Sequence, residues 1–312
     1  MMPASANRPK SIVFVFLDGV GIGPEEDNPL AVAGMPFLDA MLDGVRPTVR
    51  HPLIVTDRGV AFPVDACLGV EGRPQSATGQ AALLTGRNVP GELGEHYGPK
   101  PNPGVRRVLD QGTVFSTLVG AGVPIVSANA YPPTFFSGIQ SGRRLLSAIP
   151  YALTAAGLPL HGVEAYTAEQ AISGTITGRD WHRHAALGDV PVHEPTAAGR
   201  IVGNLMQRAR FVFYEHWVTD VLGHRRTLRQ AVDHFALVDS FLEGLTESLD
   251  LSATLVMVGS DHGNVEESGH GRHTRNPALG LMWGAGFAEC AERINNLTDF
   301  RPLIEDLLTT PQ

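Results

Sequence analysis

The sequence predicts an α/β fold in which a mainly parallel sheet lies between layers of helices. Short apolar runs, rich in β-branched and aromatic residues, alternate along the chain with segments whose apolar residues recur at every third or fourth position. Such alternation is typical of strand–helix–strand units. A chain of 312 residues is long enough for one large domain, or for a core with a smaller addition.

The predicted strands are continuous apolar runs, which are typical of strands buried on both faces. They lie at residues 11–17, 123–128, 210–215, 253–259 and 278–283. The clearest predicted helix spans residues 227–249, where apolar residues recur at steps of three and four. Further helices are predicted at residues 113–120, 196–209 and 298–308.

One stretch, residues 132–199, differs from the rest of the chain. It is rich in Gly, Pro and Ser, and its buried-strand signal is weak. We therefore predict that residues 1–131 and 200–312 form a metal-binding α/β core. Residues 132–199 are predicted to form an inserted small cap or an elaborated loop.

The charge balance excludes some classes of partner. Lys and Arg number 24 and Asp and Glu number 32, so the formal net charge is −8. This sign argues against nucleic acid as a partner, because a phosphate backbone attracts a basic surface. A small phosphorylated substrate is compatible with it, because a bound metal ion can reverse the local field.

The sequence also predicts a cytoplasmic protein with no membrane partner. No apolar run approaches the ~20 residues that are needed to span a bilayer. The cysteines are Cys67 and Cys290, and so low a number is typical of a reducing compartment.

Two candidate functional groups lie in the first hundred residues. Asp18 directly follows the first predicted strand, in L-D-G-V-G-I-G, where a carboxylate either caps a turn or reaches an ion. Ser76, in Q-S-A-T-G-Q, begins a predicted helix. It is either an ordinary N-cap or a hydroxyl placed where the helix N-terminus favours an anion.

Three further candidate motifs lie in the last third of the chain. Asp220 and His224 are four residues apart, so they share one face if the segment is helical, and they suit zinc or manganese. A D-x-x-x-H match is also common by chance. Asp261 and His262 follow a predicted strand directly; neighbours in an extended chain point to opposite sides, which fits two adjacent ions better than one. His273, in H-T-x-N-P, precedes a loop that leads into another predicted strand.

The combination of these motifs is more specific than any one of them. The three Asp and three His residues all lie at or just after the C-terminal ends of predicted parallel strands, so the fold would bring them together. Such a cluster of charges would be costly without partners. Two divalent cations would neutralise it, and paired metal ions about 3.5–4 Å apart serve in-line phosphoryl displacement.

These motifs resemble those of the alkaline phosphatase superfamily, and within it the metalloenzyme branch of cofactor-independent phosphoglycerate mutase and phosphopentomutase. L-D-G-V-G-I-G, with the segment that follows it, resembles the first-strand motif, and S-A-T-G-Q-A-A-L-L-T-G-R resembles the nucleophile helix. D-x-x-x-H, D-H-G-N and H-T-x-N-P then occur in the family's order. The similarity covers about residues 11–91 and 211–283.

The resemblance implies that Ser76 is the catalytic nucleophile. In the superfamily the nucleophile lies nine residues before the Thr of a T-G pair, and counting back from Thr85 selects Ser76 rather than Thr78. The resemblance also implies two metal sites. One would be formed by Asp220, His224 and His273, and the other by Asp18, Asp261, His262 and the Ser76 oxygen. Mixed Asp and His ligands suit Mn²⁺ and Zn²⁺ alike, so two divalent ions of either metal are the expected cofactors.

The implied activity is hydrolysis of a phosphate ester, by a phosphatase or a phosphodiesterase, through a phosphoserine intermediate. A phosphomutase is the first alternative, but the mutases carry larger insertions and a His four residues after the nucleophile, where this chain has Gln80. A catalytically silent metal-binding protein is the second, and the intact Ser76 argues against it. Arg87 and Arg275 lie within motif segments and are either substrate-binding groups for a phosphate or solvated arginines.

Overall fold

The structure is a computed structural model that describes residues 8–183, 190–225 and 227–310. Its strands have two to seven residues, and most of the residues in them are buried. They are β1 (Ser11–Leu17), β2 (Ile54–Val55), β3 (Gly59–Val64), β4 (Ile125–Ser127), β5 (Asn129–Ala130), β6 (Ile172–Ser173), β7 (Phe211–His216), β8 (Thr254–Gly259) and β9 (Ala278–Gly284).

The helices range from single turns to the 20-residue α12. They are α1 (Pro29–Val32), α2 (Pro36–Met41), α3 (Ser76–Thr85), α4 (Val89–Leu93), α5 (Pro103–Asp110), α6 (Val114–Gly120), α7 (Pro133–Gln140), α8 (Ala148–Ala155), α9 (Val163–Thr167), α10 (Pro195–Asn204), α11 (Val218–Arg225), α12 (Leu228–Glu247), α13 (Phe287–Ala291) and α14 (Phe300–Thr309).

The main sheet confirms the predicted α/β class. Its described strands run in the order β2–β3–β9–β8–β1–β7–β4. The pairs β8–β1, β1–β7 and β7–β4 are parallel. The pairs β2–β3, β3–β9 and β9–β8 are antiparallel. The sheet is therefore mixed, and its parallel half contains four of the five predicted strands.

Two differences from the predicted strands have physical reasons. The strand predicted at residues 278–283 is present as β9, but it runs antiparallel to β8, a direction that an apolar run does not encode. β3 was not predicted, because Pro63 interrupts its apolar pattern and proline normally argues against an internal strand. The predicted helices correspond to α6, α10, α12 and α14, with shifts of one to a few residues at their ends.

The hydrophobic core lies on both faces of the sheet. Along β1, Ile12, Phe14 and Phe16 enter one apolar layer with residues of α3, α5, α6, α8 and α14. The alternate residues Val13, Val15 and Leu17 enter the opposite layer with α2, α10 and α12. Because successive side chains of a strand point to opposite faces, a strand with two buried faces must be apolar throughout.

The segment predicted as an insertion, residues 132–199, makes two kinds of contact. Tyr166 and Trp181 belong to a small apolar cluster of their own. α8, in contrast, packs on α3 and α5 and contributes Ile149 and Leu153 to the main core. The division of the chain into a core and an inserted segment therefore stays a prediction.

The C-terminal ends of β1, β7 and β8 lie at the same edge of the sheet. Leu17 at the end of β1 is paired with His216 of β7, and Phe16 with Gly259 of β8. The residues that follow these three strands therefore emerge side by side. Since β9 is antiparallel, its first residue lies at this same edge, and so does the loop before it. Among the described residues, no helix combines the length and the apolar character that crossing a membrane requires.

Candidate metal centre and adjoining cavities

Ser76 is the first residue of α3, and its hydroxyl faces the strand ends. Its Oγ lies 3.1 Å from His262 Nε2, and the residue is 6% exposed. The rival hydroxyl of Thr78 is engaged elsewhere, because it donates to the Gln75 carbonyl at 3.1 Å and accepts from the Tyr97 amide at 3.1 Å. The structure therefore places Ser76, and not Thr78, among the candidate ligands.

Asp220, His224 and His273 form the first group of candidate ligands. The Nε2 atom of His224 lies 3.3 Å from Asp220 Oδ2 and 3.2 Å from His273 Nε2, and His273 Nε2 lies 3.4 Å from Asp220 Oδ1. The Nδ1 atom of each histidine contacts a backbone carbonyl, of Gly271 at 3.0 Å and of Pro74 at 2.8 Å. Such contacts fix the ring orientation and leave Nε2 for a metal ion.

Asp18, Asp261 and His262 form the second group. His262 Nε2 lies 3.4 Å from Asp18 Oδ1 and 3.5 Å from Asp261 Oδ2, and all three residues are buried. The expectation that Asp261 and His262 point to opposite sides is wrong. β8 ends at Gly259, so the chain is no longer extended at these residues and both side chains reach the same space.

The two groups are continuous with each other. The rings of His262 and His273 are stacked, with centroids 3.8 Å apart. By distance alone His262 belongs with Asp220 and His273 as well as with Asp18 and Asp261, because the ligand atoms of either set lie within 4.8 Å of one another. The structure thus brings all six predicted ligands together, while their division between two ions stays a prediction.

The charges of this cluster are poorly balanced by protein groups. Burial, together with Asp261 and Asp220, raises the pKa of Asp18 well above its usual value, and burial and Asp220 raise the pKa of Asp261 to about 7. Burial and the neighbouring His273 lower the pKa of His262 to about 3. Burial would raise the pKa of Asp220, but hydrogen bonds with His224 and His273 outweigh it and lower that pKa.

Buried polar atoms without hydrogen-bond partners also indicate that the charges of this cluster are poorly balanced by protein groups. Within the described ranges, Asp18 Oδ1, Asp261 Oδ2 and His262 Nδ1 are buried without a hydrogen-bond partner. Buried carboxylates and imidazoles are costly unless they are paired or bind a metal ion. Carboxylate oxygens and imidazole nitrogens in this arrangement fit divalent metal ions.

Several buried groups that the sequence analysis did not identify hold the centre in place. Glu266 is fully buried and accepts hydrogen bonds from Gly21 N at 3.0 Å, Asn264 N at 2.7 Å and Asn276 Nδ2 at 3.0 Å. These hydrogen bonds to one carboxylate therefore hold together the three motif loops that contain residues 21, 264 and 276. The sequence signal that could have identified Glu266 is its position two residues after the D-H-G-N motif.

Two residues orient the carboxylates themselves. Gln80 Nε2 donates to Asp18 Oδ2 at 3.2 Å, and Asn264 Nδ2 donates to Asp220 Oδ1 at 2.7 Å. Space is also limited at Gly19, which has a φ of 68° and whose added Cβ would lie 2.7 Å from Asp220 Oδ1. Only glycine combines that backbone conformation with so close an approach.

The two predicted substrate-binding arginines are not brought to the centre. Arg87 follows the C-terminal end of α3, about 15 Å along the helix from Ser76, and its Nε donates to Glu92 at 2.7 Å. Arg275 is exposed near Cys67 and His96. Neither residue lines the cavity next to Ser76.

Two cavities adjoin the candidate ligands. One, of about 430 Å³, is lined by Asp18, Ser76 and Asp220 together with residues from segments 99–100, 130–147, 180–181 and 215–217. The other, of about 560 Å³, is lined by His224 and His273 together with Arg73 and Arg272. Ser76 lines the first cavity but not the second.

Comparisons with known proteins agree with this fold and with the motifs. Residues 196–310 match the family model described as the Metalloenzyme superfamily. No curated protein matches the chain in sequence.

Solved structures match along nearly the whole chain. An alkaline phosphatase from the Antarctic bacterium TAB5 is 11% identical, with a TM-score of 0.59 over 99% of this chain and 100% of its own. Thermus thermophilus alkaline phosphatase is 11% identical, with a TM-score of 0.58 over 99% and 93%. The PH0037 protein from Pyrococcus horikoshii is 13% identical, with a TM-score of 0.58 over 97% and 98%.

These matches define the class of protein. The fold is that of the alkaline phosphatases, and residues 196–310 carry the Metalloenzyme superfamily sequence pattern. The family-model match over residues 196–310 agrees with the predicted resemblance for that part of the chain, and the solved structures show the fold.

Proposed function

We propose that the protein is a metal-dependent hydrolase of phosphate esters, a phosphatase or phosphodiesterase, that acts on a small phosphorylated molecule in the cytoplasm. The observation that carries this proposal is the position of Ser76. Its hydroxyl lies at the N-terminus of α3, 3.1 Å from His262 Nε2, within a cluster of six carboxylate and imidazole side chains. A hydroxyl in such a place suits nucleophilic attack on a phosphoryl group.

The proposed ligand sets are those that the family resemblance implies. Asp220, His224 and His273 would hold one ion, and Asp18, Asp261, His262 and the Ser76 oxygen would hold a second. Two bound divalent ions, Mn²⁺ or Zn²⁺, would lower the pKa of the Ser76 hydroxyl and neutralise the phosphoryl oxygens.

In the proposed reaction Ser76 is phosphorylated and then regenerated. Ser76 Oγ attacks the phosphorus atom, the ester P–O bond breaks, and the alcohol leaves with the proton that Ser76 has lost. Backbone N–H groups at the N-terminus of α3 favour the anionic phosphoserine. Water then attacks the phosphorus atom, which releases inorganic phosphate and restores the serine hydroxyl.

Two features support a hydrolase over a phosphomutase. The predicted insertion is short, and a mutase needs a lid that excludes water from its phosphorylated intermediate. Gln80, which contacts Asp18, occupies the position where the related mutases have His. Product analysis separates the two activities, because a mutase returns an isomer and a hydrolase releases phosphate.

The test is a panel of phosphate esters with Mn²⁺ and with Zn²⁺, applied to the wild type and to Ser76→Ala. We expect the variant to retain bound metal but to lose at least about a thousandfold in turnover, as is typical when a nucleophile is removed. Ser240→Ala, on the outer helix α12, is the matched control and should be unchanged. Substantial activity of Ser76→Ala would reject the nucleophile, and bound metal without turnover of any ester would favour a non-catalytic protein.

A further inference from the structure

The cavity of about 430 Å³ beside Ser76 is the place where the alcohol part of an ester would lie. Its inner end is formed by Ser76, Asp18 and Asp220, and its outer walls come from residues distant from the candidate ligands. The volume falls at the lower end of the range of about 300–1,000 Å³ that is usual for small-molecule sites. The outer part of the cavity therefore has to recognise a small group.

Two cations, Lys100 and Arg144, line this outer part. Lys100 is half-buried, whereas Arg144 is exposed and its guanidinium carbon lies 5.0 Å from the centroid of the Phe135 ring. Among the residues that the structure describes, neither side chain forms an ion pair or a hydrogen bond. Burial lowers the pKa of Lys100, which indicates that its charge is partly removed from water.

Besides Asp18 and Asp220 at its inner end, the cavity is lined by two further carboxylates, Glu215 and Asp180. Glu215 is 3% exposed on β7 and lines the same cavity. Burial raises the pKa of Glu215 to about 7, although Lys100 lowers it in part. Near neutral pH a share of Glu215 is therefore uncharged. Asp180, which also lines the cavity, is a hydrogen-bond partner of Thr175. Within the described residues, neither Glu215 nor Asp180 forms an ion pair with Lys100 or Arg144, so both cations are available to an anionic group.

Aromatic side chains form the remaining wall. The rings of Tyr131 and Trp217 are parallel within 6°, with centroids 6.5 Å apart, and Tyr131 stacks on Phe135 at 4.2 Å. Apolar surfaces of this kind displace water, and attraction between charges is stronger where water is excluded. The half-buried Lys100 therefore attracts an anion more strongly than a fully exposed lysine would.

From these observations we infer that the substrate carries a second anionic group, a carboxylate or a second phosphate, which Lys100 and Arg144 bind while the ester phosphate lies at Ser76. The inference rests on the proposed function, because that function places the ester phosphate at the inner end of the cavity. It adds the substrate class, namely small phosphate esters of alcohols that are themselves anionic. The arginines of the second cavity do not serve this purpose, since Ser76 does not line that cavity.

The kinetic test compares aryl phosphates that differ only in their distal group. 4-Ethylphenyl phosphate has none, 4-(carboxymethyl)phenyl phosphate carries a carboxylate, and 4-(phosphonomethyl)phenyl phosphate carries a phosphonate in place of a second phosphate. We expect kcat/KM to be at least about tenfold higher for one or both anionic compounds, as charge-assisted hydrogen bonds imply. Whichever anionic compound is preferred identifies the second group.

The variants Lys100→Met and Arg144→Met keep much of each side chain's length and remove its charge. We expect each variant to reduce the preference, and the double variant to bring the ratio of kcat/KM between the anionic and the neutral compounds close to one. Arg143→Met is the matched control, because Arg143 is the neighbouring arginine and does not line the cavity. An equal loss on all three compounds would instead assign Lys100 and Arg144 to the ester phosphate and overturn the inference.

A binding measurement separates this inference from the proposed function. 4-Ethylbenzylphosphonate and 4-(carboxymethyl)benzylphosphonate cannot be hydrolysed, and calorimetry with the metal-loaded protein gives the ratio of their Kd values. A preference for the second ligand that disappears in Lys100→Met/Arg144→Met supports the inference even if no ester is turned over, in which case only the hydrolase proposal fails. Hydrolysis of all the esters at equal rates, with equal binding of both phosphonates, overturns the inference and leaves the hydrolase proposal standing. If no ester is hydrolysed and neither phosphonate binds, both fail.

Discussion

The imidazole rings of His262 and His273 are stacked, with centroids 3.8 Å apart and planes inclined by 20°. His262 belongs to the group around Asp18 and Asp261, and His273 to the group around Asp220 and His224. The two candidate ligand groups are therefore in direct contact through these rings, and a change in one group is expected to affect the other.

Removing a ligand should lower the metal content of the whole centre. We expect Asp220→Ala and His273→Ala each to bind fewer ions than the wild type. Each variant loses one candidate metal ligand and disturbs the contact between the two ligand groups. Elemental analysis after dialysis measures the stoichiometry. His51→Ala, at an exposed histidine, should bind as many ions as the wild type, and an unchanged stoichiometry in both ligand variants would reject the proposed ligand sets.

Gln80 should act on metal affinity through Asp18. Its Nε2 donates to Asp18 Oδ2 at 3.2 Å, so Gln80→Leu removes the group that orients this carboxylate. Loss of such an outer partner typically weakens metal binding by about 10–100-fold. Competition with a chelator measures the affinity, and Gln230→Leu at the exposed start of α12 is the control. If Gln80→Leu binds metal as tightly as the control, Gln80 does not orient Asp18.

The pair formed by the buried His216 and the half-buried His234 should make stability depend on pH in the acid range. Their Nε2 atoms are 2.7 Å apart. Burial and His234 lower the pKa of His216 well below its usual value, and burial lowers the pKa of His234 to about 4. The unfolded chain therefore binds more protons than the folded chain below pH 6.5, and the stability that is present above pH 6.5 is lost as the pH falls towards 4.

The variant His234→Gln retains a hydrogen-bond donor towards His216 but does not titrate in this range. We expect the loss of unfolding free energy between pH 6.5 and 4 to be smaller in this variant than in the wild type, by at most about 3 kcal/mol. Urea unfolding at a series of pH values measures the slope. His51→Gln should keep the wild-type slope, and an identical slope in His234→Gln would contradict the role of the pair.

Gly79 should be intolerant of any side chain. A Cβ at this position would lie 2.8 Å from the Asp261 carbonyl oxygen, so Gly79→Ala must push α3 away from the loop that holds Asp261. Overpacking of this kind costs about 1–3 kcal/mol of unfolding free energy. Gly120→Ala, also in a helix but with no atom within 4 Å of the added Cβ, should be neutral or slightly stabilising. Equal stabilities of the two variants would show that α3 has room to move.

Much of the centre could be predicted from the sequence because its ligands follow strands or begin a helix. Asp18 comes directly after a buried apolar run, Asp261 follows another after one intervening residue, and Ser76 begins a helix. The C-terminal ends of neighbouring parallel strands meet at one edge, so these positions converge whatever the details of packing. His273 reaches the same edge for a different reason, because it precedes a strand that runs in the opposite direction.

The sequence by itself determined the type of fold, the candidate nucleophile and the six candidate ligands, because strand periodicity and motif order are local properties of the chain. Only the tertiary structure decided that Gln80 supports Asp18, that Arg87 pairs with Glu92 away from the centre, and that Lys100 and Glu215 face the same cavity. Each of these relationships joins a side chain to a partner whose position depends on how helices and loops pack. Packing of that kind arises from shape and burial across the whole molecule, which no single segment encodes.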